Sequence, residues 1–259
     1  MARRRLENGR IRSETSAFYV PPADLEGGLV RFPEDELRHI TRSLRLRPPA
    51  VVEVLDGQGG CYQVQLAGGA AGRIEGRVLE KLFLPAARPL VSAALAVCRA
   101  ERMKLAVEKL AELGCHRLIT IRTGYVDFAG SREGLREKLR RVAVSALKQS
   151  RSPWLMRVEE GEGVEELIGG SGKQTCPVFC QMAAEIETGS PAPGRLPAAE
   201  EYLLVVGPEG GFTPGEAELI GKSGLPRLDL GNTRLRSETA AVAGFVLLRQ
   251  IVCGAAGIY

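Results

Sequence analysis

Histidine is scarce in this chain, with only His39 and His116 among 259 residues. A histidine-rich metal centre and Ser/His/Asp hydrolysis are therefore poorly supplied, and no metal is expected. Long apolar runs are missing as well. The longest, Leu203–Val206 and Ala240–Leu248, fall far short of the roughly 20 residues that a bilayer-spanning helix requires. The start is basic and carries no apolar signal core, so a cytoplasmic protein with no membrane partner is expected. The six cysteines, Cys61, Cys98, Cys115, Cys176, Cys180 and Cys253, are scattered. Cys176 and Cys180 have no further ligands close by, which favours buried free thiols over a zinc site.

The chain does have enough apolar residues, 44%, to build a real core. Its net charge is only +4, yet basic residues crowd around Arg38, Arg42, Arg45 and Arg47 and again between Arg99 and Arg151. Local basic patches attract a phosphate backbone even when total charge is small. Either patch taken alone reads equally well as a solvated helix face.

Residues 1–17, with Arg3, Arg4, Arg5, Arg10 and Arg12 and almost no apolar content, read as a flexible basic arm. Residues 18–84 form the first expected domain. Short β-prone runs (Phe18–Val20, Val51–Leu55, Cys61–Leu66, Gly72–Leu79) alternate there with Gly-containing turns, around one helix over Glu34–Leu44. This pattern predicts a small β-barrel-like domain. Pro85–Pro89 then reads as a linker, and residues 90–259 as a second domain of alternating strands and helices. Strands are expected over Ser92–Val97, Arg117–Ile121, Val178–Gln181 and Tyr202–Val206, and helices over Glu101–Leu113, ended by Gly114, and over Arg132–Gln149. Such alternation predicts an α/β fold with a mostly parallel sheet covered on both faces. Ala183–Glu200 reads as a connecting loop. Lys104, Glu108 and Glu112 are spaced for ion pairs on a helix surface.

Two segments carry chemistry. In the first, the buried strand Leu203–Val206 runs into Gly207-Pro208-Glu209-Gly210-Gly211, followed by Thr213, Pro214 and Glu216, which form a capping box with Pro at the first helical position. Glycines at such a strand end let backbone amides approach a ligand, and a tight unliganded turn is the competing reading. The second segment is Leu228-Asp229-Leu230-Gly231-Asn232-Thr233-Arg234-Leu235-Arg236-Ser237-Glu238-Thr239-Ala240. Ser237 can cap the following helix and Glu238 suits its first turn. Arg234, Arg236, Glu238 and Thr239 are nevertheless more polar function than a cap requires. From Ala240 the helix is apolar nearly all round, which calls for burial on every side, within the fold or against another subunit.

Together the two segments resemble the uracil-N3 methyltransferases of small-subunit 16S ribosomal RNA, the RsmE family of the SPOUT superfamily. Gly207 to Gly211 match that family's Gly-Pro-Glu-Gly-Gly. Leu230, Gly231, Leu235, Arg236, Glu238, Thr239 and Ala240 match its Leu-Gly-x-Arg-x-Leu-Arg-x-Glu-Thr-Ala element. Lys109 to Gly114, Gln149-Ser150-Arg151, and His39 with Leu44-Arg45-Leu46-Arg47-Pro48 are similar to further family elements. Thr233 stands where Arg is usual, with Arg234 beside it, and Pro49 and Ala50 replace the customary Gly-Asp.

The resemblance implies a C-terminal SPOUT domain with a deep trefoil knot, one of the exceptions to unthreaded chains, and a smaller PUA-like, RNA-binding N-terminal domain. It further implies a homodimer packed through the knot. The cofactor would be S-adenosylmethionine, held by Val206, Gly207, Pro208, Glu209, Gly210, Gly211, Leu230, Gly231, Leu235, Arg236 and Thr239. The partner would be small-subunit ribosomal RNA or the assembled small ribosomal subunit. Uracil N3 is an imide N–H, so its methylation calls for a base, positive charge, or both. Arg236 suits stabilisation of the developing anion, and Glu238 either accepts the proton or orients Arg236. On the RNA side stand Arg38, His39, Arg42, Arg45 and Arg47, with Arg132, Arg136, Arg140 and Arg141 on a second-domain helix; His39 reads equally as a packing residue. The competing functions are ribose 2′-O methylation by a related knotted enzyme and a non-catalytic RNA-binding assembly factor.

Overall fold

A computed structural model of the chain describes residues 16–69, 73–125, 132–161, 163–181 and 196–254. Most of the basic arm and most of the Ala183–Glu200 loop lie outside the described residues. The chain forms two compact units, residues 1–86 with 144–155, and residues 87–143 with 156–259. Among the described residues no helix is long and apolar enough to cross a membrane.

In the first unit six strands pair in the order β1 (Ala17–Tyr19), β4 (Val51–Leu55), β5 (Gly60–Gly68), β6 (Ile74–Phe83), β3 (Leu29–Val30) and β2 (Leu25–Glu26). The β1–β4 pairing is parallel and the rest antiparallel. Alternation along β5 turns Val64 and Leu66 inward and half-exposes Gln63 and Gln65. These inward residues join Phe18, Val30, Phe32, Ile40 and Val54 in one core, where each fully buried side chain contributes roughly 1.5–3 kcal/mol. A Cβ on Gly76 would lie 2.3 Å from the Val64 side chain, so only glycine lets β6 cross there. The helix expected over Glu34–Leu44 is α1 (Glu34–Arg38), which widens into one π-helical turn over His39–Ser43.

Residues 144–155 join this unit and interrupt the contiguous 90–259 span expected from sequence. The reason is physical. Leu147 packs with Leu55 and Cys61, and two buried acids find their cations here, Glu36 with Lys148 at 2.7 Å and Glu53 with Arg151 at 3.2 Å. Burial pushes the Glu53 carboxyl up and Arg151 opposes it. The Trp154 indole donates to the Leu84 carbonyl at 3.0 Å.

The second unit is built on β7 (Leu90–Ala96), α2 (Ala100–Glu112), β8 (Arg117–Ile121), α3 (Arg132–Ser150, its last turns in the first unit), β9 (Arg157–Glu160), α4 (Val164–Gly169), β10 (Thr175–Gln181), β11 (Glu201–Val206), α5 (Pro214–Lys222), β12 (Arg227–Asp229) and α6 (Ser237–Cys253). Its six strands are all parallel, in the order β12-β10-β11-β7-β8-β9. Gly114, at φ +80°, ends α2 where the sequence predicts. The charged edge strand β9 and the short β12 carry too little apolar pattern to be read in advance. At the start of the sheet, buried Glu201 accepts hydrogen bonds from Ser92, Arg117 and Thr175. Burial pushes the Glu201 carboxyl up, but the Arg117 and Ser92 hydrogen bonds outweigh it and leave it below its ordinary value.

Within this chain α6 is buried along one stripe only, which leaves burial against another subunit as the alternative for the rest. Ala241, Gly244, Phe245 and Leu248 are buried, whereas Val246 and Leu247 are 45% and 40% exposed. The reason is coverage: the chain packs α2, β7 and β11 against the helix, and these reach only one stripe.

Candidate active site

The strand order reverses between β7 and β11, and at such a switch point the carboxyl ends of parallel strands leave a crevice. The Gly207–Gly211 loop leaves β11 at this place. Gly211, at φ +76°, closes a turn by donating its amide to the Pro208 carbonyl at 2.9 Å. The expected capping box then starts α5: Thr213 accepts from the Glu216 amide at 3.3 Å, and the Glu216 carboxylate accepts from the Thr213 amide at 2.7 Å.

The loop after β12 turns at Gly231, at φ +98°, whose amide donates to the Asp229 carboxylate at 2.9 Å. Ser237 does not cap α6. Arg236 occupies the N-cap position without a side-chain bond, and the Ser237 hydroxyl donates instead to the Gly207 carbonyl at 3.2 Å. The Gly207 carbonyl of the neighbouring glycine loop takes that hydroxyl in place of an α6 amide. Arg234 adds a second tie by donating to the Glu209 carbonyl at 2.8 Å.

These loops enclose a cavity of about 770 Å³. Val206, Gly207, Pro208, Glu209, Gly210 and Gly211 line one side of it, and Leu230, Gly231 and Leu235 another. Thr233 and Arg234 also line it, which puts the departure from the family pattern at the pocket itself. Arg236 and Thr239 are exposed and are not among its lining residues. Glu238, 7% exposed, faces α2 with its carboxylate 4.0 Å from the Arg102 guanidinium. Arg102 also pairs with Glu209. One arginine outside both motifs therefore meets an acid from each. Burial and the Glu238 charge push the nearby Cys98 thiol up to about 11, so it is no nucleophile at neutral pH.

Sequence reasoning missed Arg102, Gln181 and Arg227. Arg102 sits among other charged residues of an amphipathic helix, and nothing in its spacing marks it. Gln181 and Arg227 line the cavity from β10 and β12; Gln181 belongs to an expected strand, but its inward direction appears only once the two strands are paired.

Among the RNA-side residues, Arg38, His39, Arg42, Arg45 and Arg47 are all exposed, as are Arg136, Arg140 and Arg141 on α3. Arg38 pairs with Glu34 at 2.9 Å and Arg141 with Glu137 at 3.4 Å. The His39 ring packs edge-on against Phe18, centroids 5.9 Å apart. The Arg132 side chain lies outside the described residues. Lys104 pairs with Glu101 rather than Glu108, and Lys109 takes both Glu108 and Glu112.

A family model described as an RNA methyltransferase domain matches residues 86–249. With the parallel sheet and its glycine-loop pocket, this match places the chain among the RNA methyltransferases. The ribosomal RNA small subunit methyltransferase E of Mycobacterium bovis is 30% identical over 241 residues, covering 86% of this chain and 87% of that one. The protein of the same name from Rickettsia conorii is 23% identical over 90% of this chain and 95% of its own. The chain belongs to the ribosomal RNA small subunit methyltransferase E family. Its fold is that of the Neisseria gonorrhoeae methyltransferase E crystallised with S-adenosylmethionine (TM-score 0.78, 22% identity, 92% of this chain and 98% of that one). A probable rRNA-methyltransferase from Porphyromonas gingivalis superposes equally well (TM-score 0.78, 24% identity, 92% and 98% covered).

Proposed function

We propose that the protein transfers a methyl group from S-adenosylmethionine to N3 of a uridine in small-subunit ribosomal RNA. One observation carries this reading: the Ser237–Gly207 hydrogen bond draws both motif segments around a single cavity. Its 770 Å³ lies within the range of small-molecule and cofactor sites. Glycines on two sides leave backbone groups accessible to a nucleoside, so the residues present fit the cofactor. When bound, the cofactor supplies an electrophilic methyl group.

The chain's own residues then have separable work. The Gly207–Gly211 and Leu230–Leu235 loops bind and orient, and holding two reactants in line removes much of the entropic barrier. Arg236 is exposed and makes no ion pair among the described residues, so its guanidinium is available to a uracil oxygen as the N3 proton passes to solvent water and negative charge develops on the ring. Glu238, buried against Arg102, suits the positioning of the α6 start better than direct contact with the base. The exposed arginines of α1 and of the segment after it, with those of α3, supply sequence-independent attraction to RNA phosphates. The exposed Val246 and Leu247 support a homodimer through α6.

Calorimetry with S-adenosylmethionine on the wild type and on Gly210→Val tests the site. A Cβ on Gly210 comes into ordinary contact with Tyr125, at 3.7 Å, so the variant is expected to fold while adding bulk to a glycine that lines the cavity. Abolished binding is expected, and unchanged affinity in a folded variant would remove the loop from the site. Nucleoside analysis of methylated small-subunit RNA or particles is expected to give N3-methyluridine. A ribose-methylated product would establish the 2′-O chemistry instead, and binding of RNA without cofactor would establish an assembly factor.

A further inference from the structure

Arg227 is 5% exposed, yet it lines the cavity. Its Nη2 donates to the Ile220 carbonyl near the end of α5 at 3.2 Å, and its Nε–H has no acceptor among the described residues. Among the described residues Arg227 makes no ion pair, and Asp229, two residues further on, accepts from the Gly231 amide. A buried guanidinium left without a counter-charge is strongly unfavourable, so this one is built to meet a negative group.

A second orphan faces the same space. Gln181 lines the cavity from β10, and its buried Oε1 has no donor among the described residues. In the parallel β10–β12 pairing, Arg227 lies opposite Phe179 and Asp229 opposite Gln181. Side chains two apart on a strand share a face, so Gln181 and Arg227 project from the same side of the sheet. A donor carrying positive charge and a neutral acceptor thus share one face of the sheet at the pocket, Arg227 diagonal to Gln181.

We propose that Arg227 and Gln181 form the subsite for the amino-acid end of the cofactor, Arg227 binding its carboxylate and Gln181 accepting from its ammonium group. The inference rests on the S-adenosylmethionine reading above. An α-amino acid presents an acceptor-rich anion and a donor-only cation two bonds apart, which complements this pair. An RNA phosphate suits it less, because it would have to bring two ester-linked sugars to a side chain buried this deeply. The glycine loops are then left to the nucleoside.

The test compares two neutral thioethers that differ in the amino-acid end, S-adenosylhomocysteine, which has it, and 5′-methylthioadenosine, which lacks it. Calorimetry on the wild type is expected to show tighter binding of the first. Arg227→Met is expected to weaken S-adenosylhomocysteine roughly ten- to hundredfold, the scale of a hydrogen bond to a charged group, and to leave 5′-methylthioadenosine within about twofold. Gln181→Leu, which should fold even if Arg227→Met does not, is expected to act in the same direction with a smaller loss. Equal weakening of both ligands, or of neither, in the folded variants would overturn the subsite while leaving the cofactor reading intact. Wild-type protein that binds neither S-adenosylmethionine nor S-adenosylhomocysteine would overturn both.

Discussion

The Ser237 hydroxyl donates to the Gly207 carbonyl at 3.2 Å, joining two loops that lie thirty residues apart in sequence. Ser237 is buried, so its removal would leave the Gly207 carbonyl without that donor. Ser237→Ala is expected to reduce S-adenosylmethionine affinity about fivefold, equivalent to about 1 kcal/mol for one neutral hydrogen bond. Global stability should change little. Calorimetry beside thermal melting checks this, and a large fall in melting temperature with unaltered affinity would assign the bond to the fold alone.

How far the sequence foretold this site follows from what each residue's signal depends on. Local chemistry was legible: the capping box at Thr213 and Glu216 and the glycine stop at Gly114 are where the pattern puts them. These features depend on neighbours a few residues away. The residues that depend on tertiary packing were not legible. Ser237 has the chemistry of a cap but serves a distant carbonyl, and Glu238 turns to Arg102, far earlier in the chain. Gln181 and Arg227 gain meaning only from strand pairing, and residues 144–155 join the first unit through partners no local period reveals.

Stability should reveal the Glu201 network. Its folded carboxyl lies below the ordinary value, so its contribution is fully present above the unfolded pKa, roughly 4.3, and is lost as pH falls through the folded value. Glu201→Gln leaves Arg117 without its closest carboxylate and is expected to destabilise the protein by about 3 kcal/mol at pH 7. Urea unfolding of both forms between pH 7 and pH 3 tests the sign. The wild-type advantage should shrink toward acid; an advantage that stays constant or grows would mean that Glu201 is not held ionised by Arg117.

RNA binding should depend strongly on salt, with Arg38 and Arg42 contributing to it. Arg38 pairs with Glu34 at 2.9 Å, but both side chains are largely exposed, so that pair is weak and exchanges readily for a phosphate. The double alanine variant is expected to flatten the slope of log affinity against log salt by about one unit for each phosphate it no longer neutralises. Binding titrations at several salt concentrations measure this. A variant that keeps both the wild-type slope and affinity would make the patch a solvated helix face.

Arg236 should act in the chemical step rather than in folding or cofactor binding. It occupies the N-cap position of α6 without a side-chain cap bond, is exposed, and does not line the cavity. Removing its side chain therefore takes away little packing, and Arg236→Ala is expected to keep the wild-type melting temperature and most S-adenosylmethionine affinity. Methyl transfer should slow roughly a hundredfold or more, the scale seen when a preorganised donor to a developing anion is removed. Arg236→Lys should recover only part of the rate, because an ammonium keeps the charge but not the forked, planar contact that a guanidinium makes with a base edge. Single-turnover transfer to small-subunit RNA or particles, at saturating cofactor, separates this step from binding. A near-normal rate in Arg236→Ala would place the anion-stabilising charge elsewhere, with Arg234 at the cavity wall as the next residue to replace.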